Sequence, residues 1–410
     1  MGDSYEILLF YLGLHILKNK ACSMKNLITV IVFLSALFRV SGEPLNSRVD
    51  LGTSTVIQLE LPGVPLRVAG EIRSGIPLWF VRLDDGRFLE IDPGSDTGFK
   101  EINPKDAGLI FQADHQPPPY DTSGRDFRII PYGDYSFRLD VSGDFQLSGP
   151  GGRVLERGNS LPDALPAYDG EYLVILSDAS NDYRHGILGN KIEPSGFTVY
   201  RTSVNLQSIG EYQLPVGSVF ETLRPTLADI DGDDVPEVLL TVSNSRVGAA
   251  IYAYRLDGTP FAESAPIGLG NRWTHLLGAA ATGPRGETEI ITVRTPHIGG
   301  SLEYYRLQGN RLELVHRVSG FSTHSIGSRN LDMAAIGDFD GGRRPDVLLP
   351  SQDFKSLSVI ERTPEGSREI WKIELESRLT SNIALLEYEG GSQAAWGTEE
   401  GVFQIRSNNP

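Results

Sequence analysis

The stretch "LADIDGDDVPEVLLTV" (Leu227 to Val242) sets three carboxylates, Asp229, Asp231 and Asp233, at alternate positions and a fourth, Glu237, at the head of an apolar, β-branched run. Alternation along a tight loop turns the odd positions toward one centre, and calcium takes about six to eight oxygens from carboxylates and backbone carbonyls. The predicted ligand set is therefore Asp229, Asp231, Asp233, the carbonyl of Val235, and Glu237. The loop is not an EF-hand, because its twelfth position is Leu240, its sixth is Asp234 instead of glycine, and strand follows instead of helix. A plainer reading makes the same residues Asp-Gly turn formers whose side chains accept hydrogen bonds from local amides. "GDFDGGRRPDVLLPS" (Gly337 to Ser351) restates the pattern with Asp338, Asp340 and Asp346. There Gly342 replaces the fifth-position carboxylate and Arg343 and Arg344 add positive charge, so calcium is expected chiefly at the Asp229 loop and a simple turn at Asp338.

A second set of residues could bind a ligand. Arg272, Arg329 and Arg378 each stand nine residues before a repeat position, at Ala281, Asp338 and Glu387. Three arginines at corresponding places would attract a carboxylated or sulfated ligand, or would serve to offset an acidic surface. His275 and Asp332 follow their arginines by three residues and add polar contacts. Trp273 is either a sugar-stacking platform or a core residue. Enzyme signatures are thin: no G-x-S-x-G, H-E-x-x-H or phosphate loop is present, and the histidines show no metal-ligand spacing.

What must position these residues is a repeat. The two aspartate loops lie 109 residues apart, and "ATGPRGETEIITV" (Ala281 to Val293) sits near the midpoint, keeping Glu289 and the strand but none of the aspartates. A hairpin with alternating apolar residues and one arginine recurs seven times, at Arg82, Arg138, Arg201, Arg255, Arg306, Arg362 and Arg406. One arginine per unit reads as a packing signature. A period near 54 holds four short antiparallel strands, and such sheets protect their edges by packing radially. The expected fold is an all-β, seven-bladed β-propeller over residues 43–410. Its last blade lacks an outer strand, and "STVIQLEL" (Ser54 to Leu61) is expected to supply it. The rival arrangement makes residues 45–150 a β-sandwich followed by a shorter propeller.

The loops and strands at Asp229–Glu237 and Asp338–Asp346, and more weakly Ala281–Glu289, resemble the FG-GAP/VCBS repeat family of integrin α-subunit propellers and many exported bacterial proteins. Motif coverage runs from Thr226 to Pro350; the other copies show the hairpin alone. The resemblance implies a calcium-loop propeller, usually seven-bladed, used for adhesion, ligand binding or scaffolding, and it implies no single activity. Asp234 departs from the glycine the family places at the sixth loop position.

Composition sets the remaining limits. The chain has 410 residues, 45 glycines and a formal net charge of −16, which disfavours nucleic acid as a partner. Met24 and Lys25 precede the apolar run Leu27 to Phe38, and Val40 to Gly42 offers small residues for cleavage. Residues 1–42 therefore read as an over-extended start plus a secretory signal, the apolar run being too short for a span of about 20 residues. The only cysteine, Cys22, would be removed with it. The expected protein is a periplasmic or secreted monomer, without a membrane span in its mature form, that binds a glycan or protein and is supported by calcium. The alternative is a polysaccharide lyase or hydrolase acting through Arg272, Arg329 and His275 at the channel mouth.

Overall fold

The computed structural model describes residues 47–50, 54–93, 95–103, 127–203, 206–389 and 391–408. Residues 1–42, expected to hold a secretory signal, lie outside the described residues, Cys22 with them. Seven blades of antiparallel strands follow one another along the chain: blade 1 over 65–102, blade 2 over 127–159, blade 3 over 167–213, blade 4 over 218–264, blade 5 over 274–319, blade 6 over 335–374 and blade 7 over 384–408. The one helical element among the described residues is a single 3-10 turn, Pro150–Gly152.

Strand composition follows from position in each blade. Second strands are covered on both faces by neighbouring blades, so they read as continuous apolar runs: Glu237–Asn244 is buried over its first seven residues and Glu289–Arg294 over its first five. Outer strands meet solvent and alternate, as in Gly366–Glu374, where Trp371 and Ile373 turn inward between exposed charges.

Apolar cores fill the spaces between successive blades from blade 2 round to blade 7 and between blades 7 and 1. Phe137 and Leu147 of blade 2 share one with Leu173 and Ile175 of blade 3. Phe197 and Val199 pack on Phe220, Leu240 and Tyr254 between blades 3 and 4. Corresponding clusters join blades 4 and 5, 5 and 6, and 6 and 7. Between blades 7 and 1, Val68, Trp79 and Val81 meet Ala395, Phe403 and Ile405. The sheets of blades 1 and 2 thus pack on blades 7 and 3, as blades of the ring and not as the two layers of a separate sandwich.

The expected closure is present. Ser54–Glu60 pairs antiparallel with Val402–Asn408, with Ile57 opposite Ile405, and completes blade 7 as its fourth strand. The chain continues one step further than expected, because Ser47–Asp50 adds a fifth strand outside it. The sequence also did not indicate the parallel pairing of two outer strands, Pro260–Ser264 and Arg311–Ser319, which joins blades 4 and 5 into one nine-stranded sheet.

Because the closing strand carries buried Leu59 against buried Phe403, Leu59→Ala and Phe403→Ala are each expected to cost about 2–5 kcal/mol. Urea unfolding of the two single variants and of the double variant should show less than additive loss, since both open the same seam.

Candidate functional site

Antiparallel alternation divides the connections between two faces. The links between first and second strands, and between third and fourth, lie on one face. The links between second and third strands, and those from blade to blade, lie on the other. The aspartate loops are links of the first kind; Arg272, Trp273, Arg329, Asp332 and Arg378 belong to blade-to-blade links, and His275 to the start of an innermost strand.

On the aspartate face the two loops share one backbone. Asp229 accepts from the N–H groups of Gly232 (2.7 Å) and Asp234 (3.0 Å), and Asp338 accepts from those of Gly341 (2.7 Å) and Arg343 (2.8 Å). Burial works against charge at Asp229, yet these N–H groups hold its carboxyl below the usual range. Asp234 and Arg343 both sit at positive φ, 65° and 64°, where glycine is normally preferred. One carboxylate oxygen from each of Asp229, Asp231 and Asp233 lies within 4.8 Å of the others, and the same holds for Asp338, Asp340 and Asp346.

What neutralises each loop differs, and this revises the expected ligand set. Glu237 is fully buried, burial pushes its carboxyl up, and Arg255 from the hairpin of the same blade reaches it at 2.5 Å while also binding Asp231 at 2.7 Å. The other Glu237 oxygen accepts from the Ile230 N–H, so Glu237 stands outside the aspartate cluster. Val235 enters through its N–H, donated to Asp233. In blade 5, buried Glu289 takes two arginines, Arg306 at 2.6 Å from its own blade and Arg362 at 3.1 Å from the next. That draws Arg362 away from its own blade's loop. Asp346 is left 1% exposed with a long 3.4 Å hydrogen bond from the Phe339 N–H, and burial beside Asp340 pushes its carboxyl up to about 7. The Asp338 loop, expected to be the weaker cation site, is therefore the one whose buried carboxylate has no arginine partner among the described residues.

The hairpin arginines act in packing, as their repetition suggests. Arg255 lies over the Phe261 ring, Arg362 over Tyr304, and Arg406 over Trp371 of the preceding blade.

On the opposite face, segment 320–334 between blades 5 and 6 spans the mouth of the ring. Asp332 binds Arg67 of blade 1 at 2.5 Å and Arg224 of blade 4 at 3.5 Å, and Asn330 also accepts from Arg67. Arg329 binds Asp163, between blades 2 and 3, at 2.8 Å. The Gly327 N–H donates to the Ile187 carbonyl of blade 3, and Arg378, at the entry to blade 7, donates to Ser325. One segment thus ties together blades on all sides of the axis.

Beside it lies a histidine cluster that sequence spacing did not reveal. Trp273 stacks on His275 (centroids 5.0 Å apart, planes 14°) and on His297, and meets His324 edge-on. His297 Nε2 and His324 Nδ1 are 2.9 Å apart, and His275 Nδ1 contacts Thr323 Oγ1 at 2.8 Å. The Trp273 indole N–H donates to the Glu221 carbonyl, and the Glu221 side chain contacts His185 Nδ1 and takes the Ser243 hydroxyl. Burial drives the ring pKa values down, to about 3 at His275 and about 4 at His297 and His324. Glu193, buried nearby with Oε1 making no hydrogen bond, is pushed up to about 9 by desolvation.

The expected ligand residues consequently separate. Trp273 and His275 are 2% and 3% exposed, so neither offers a face to a sugar or an accessible base; the indole's size and N–H are satisfied by burial against the loops. Arg329 and Asp332 are held in ion pairs across the mouth. Arg378 is exposed and lies over Phe354, and Arg272 is exposed without a polar partner among the described residues. The residues missed were Arg67, Asp163, Glu193, Glu221, Arg224, His185, His297 and His324. A signal for part of the cluster was present: His185 and His297 both fall between a second and a third strand of their repeats, which places them on the Arg329 face.

No family model and no curated protein matches the chain. Among solved structures it is similar to BBS1N in crystals with ARL6DN soaked with lead (TM-score 0.47, 10% identity, 89% of this chain and 96% of that one). It is similar also to BBS1N in the mercury-soaked crystals with ARL6DN (0.43, 9%, 90% and 97%) and to BamB from Moraxella catarrhalis (0.40, 10%, 89% and 98%). The seven-bladed assignment rests on the chain's own strand pairing.

The depressed histidines give stability a defined pH dependence. A histidine whose folded pKa lies below its unfolded value near 6.5 contributes stability that is complete above that value and is lost as pH falls toward the folded pKa. Unfolding free energy should therefore decline between pH 6.5 and 4, by up to about 1.4 kcal/mol per pH unit for each enclosed ring. Urea midpoints across that range should show a shallower decline for His275→Asn and for His324→Asn than for the parent.

Proposed function

We propose that this chain is an exported, calcium-supported β-propeller of the FG-GAP/VCBS type that binds a glycan or a protein and does not turn over a substrate. The observation that carries the binding reading is the state of the mouth. Arg329, Asp332 and His275, groups that a hydrolase or lyase would need there, are tied into hydrogen bonds across the ring, with His275 enclosed and its proton affinity lowered. A locked mouth keeps one shape, which suits recognition by a preorganised surface. Export is supported by the basic start, apolar run and small residues of segment 24–42. Incubation with a panel of anionic polysaccharides, read by mass for shortened products, tests this: turnover that disappears in Arg329→Ala would overturn the binding reading.

The carboxylate clusters support calcium as a structural ion. Asp338, Asp340 and Asp346 would hold it in blade 6, and Asp229, Asp231 and Asp233 in blade 4, where Arg255 already shares the site. The bound ion would supply positive charge to the crowded carboxylates and fix the loop backbone. At a dissociation constant of roughly 10⁻⁴ M, millimolar calcium adds on the order of 1 kcal/mol.

Thermal unfolding in chelator and in millimolar calcium should show that gain in the parent and a smaller one in Asp346→Asn, which keeps only the blade 4 site. Arg255→Met should cost about 2 kcal/mol or more in chelator, because Glu237 is left buried and unpaired, and should recover more than the parent does when calcium is added. Identical melting curves with and without calcium for all three proteins would remove calcium from the reading.

A further inference from the structure

On the face opposite the aspartate loops, six successive connections each present one aliphatic side chain to solvent. Ile192 lies in the second-to-third-strand link of blade 3, Val216 between blades 3 and 4, Val247 within blade 4, Leu269 between blades 4 and 5, Ile298 within blade 5 and Ile326 between blades 5 and 6. Their exposures run from 49% at Val247 to 91% at Val216. Single exposed aliphatics are ordinary, but one per connection along an unbroken arc of three blades is not scatter.

The arc is continuous and fixed. The Gly217 N–H donates to Asp182, the Ile267 N–H to the Ala249 carbonyl, the Gly320 and Phe321 N–H groups to the Gly300 carbonyl, and the Gly327 N–H to the Ile187 carbonyl. The Ile267 bond ties its connection to the strand Gly248–Tyr254, and each of the others joins two of the connections in question, so the loops are held in place.

Its charge is opposite to that of the chain. Segments 181–192, 214–217, 245–247, 265–273, 295–300 and 320–334 carry five basic residues, Arg184, Lys191, Arg246, Arg272 and Arg329, against two acidic ones, Asp182 and Asp332, while the whole protein stands at −16. Lys191, Arg246 and Arg272 are exposed and form no ion pair among the described residues, and Lys191 and Arg246 directly precede Ile192 and Val247. Among the described residues, no tryptophan, tyrosine or phenylalanine is one of the exposed large apolar side chains. Sugar recognition relies on aromatic platforms and membrane-interface binding favours tryptophan and tyrosine, so aliphatic tips interleaved with cations select a different occupant.

We infer that this arc is a docking surface for an acidic polypeptide segment whose aliphatic side chains seat against Ile192, Val216, Val247, Leu269, Ile298 and Ile326. The inference rests on the binding reading above and chooses protein over glycan. The carboxylates of the partner would meet Lys191, Arg246 and Arg272, which sets orientation and encounter rate, while aliphatic contact supplies most of the affinity.

A random-peptide phage library panned on the full chain tests it, with heparin and phosphatidylglycerol vesicles as parallel probes. The expected result is enrichment of peptides that interleave Asp or Glu with Ile, Leu or Val. Their affinity should fall about tenfold or more in Leu269→Ser/Ile298→Ser/Ile326→Ser and in Lys191→Glu/Arg246→Glu/Arg272→Glu. Should the serine variant fold poorly, Ile298→Ser alone and the charge-reversal variant carry the comparison. Peptides that bind the serine variant as tightly as the parent would overturn the inference. So would heparin or vesicle binding that depends on the three cations without any acidic-aliphatic enrichment; heparin binding of that kind leaves the binding reading intact. If no probe binds, both readings fall. Self-association seen by sedimentation and abolished by the serine variant would also overturn it, in favour of a second copy as occupant.

Discussion

The structure depends on a strand borrowed across the length of the chain. Ser54–Glu60 pairs with Val402–Asn408, so the blade that ends the chain is completed by the segment that precedes blade 1. Its pairing holds Leu59 beside Phe403 in the same core that takes Trp79 and Val81 from blade 1. Each blade in the described ring buries its faces only because it has neighbours, so the borrowed strand also determines whether those neighbours stay in place. Contacts of this sequence separation close late and at high loop entropy, which makes the seam between blades 7 and 1 the natural place for the ring to open.

A second constraint acts inside the ring. A carboxylate at the head of the second strand recurs in blades 4, 5 and 6, always at or below 1% exposure, and each must be compensated. Glu237 takes Arg255, Glu289 takes both Arg306 and Arg362, and Asp346 is left with a backbone N–H and a raised pKa. The three loops thus descend from one pattern with different electrostatic solutions. The choice made in blade 5 determines what is missing in blade 6.

The face opposite the aspartate loops carries both a rigid centre and an exposed rim. Segment 320–334 uses ion pairs and buried histidines to join blades that are not neighbours, fixing the mouth from the centre. Around that plug, and at its own Ile326, the loop tips keep aliphatic side chains at the surface beside Lys191, Arg246 and Arg272, which form no ion pair among the described residues. A surface of that composition on a fixed frame is consistent with association as the task of this face.

Repeat number, strand content and closure were legible in the sequence because hairpin alternation, Asp-Gly turns and one arginine per unit are local signals, and the vacancy in blade 7 followed from counting strands. The aspartate loops were legible as well, including the abnormal sixth position that the structure places at positive φ for both Asp234 and Arg343. Partnership was not legible. Spacing alone does not indicate that Arg362 would cross to Glu289, that Glu237 would leave the ligand set for Arg255, or that His275, His297 and His324 would gather around Trp273. Those contacts are made between strands and loops far apart in sequence, and which cation reaches which buried carboxylate depends on the radial packing of whole blades. The sequence by itself determined the repeating β unit and the ring it must close; only the tertiary structure decided which charges pair inside it, because pairing energies depend on distance and burial in space and not on position along the chain.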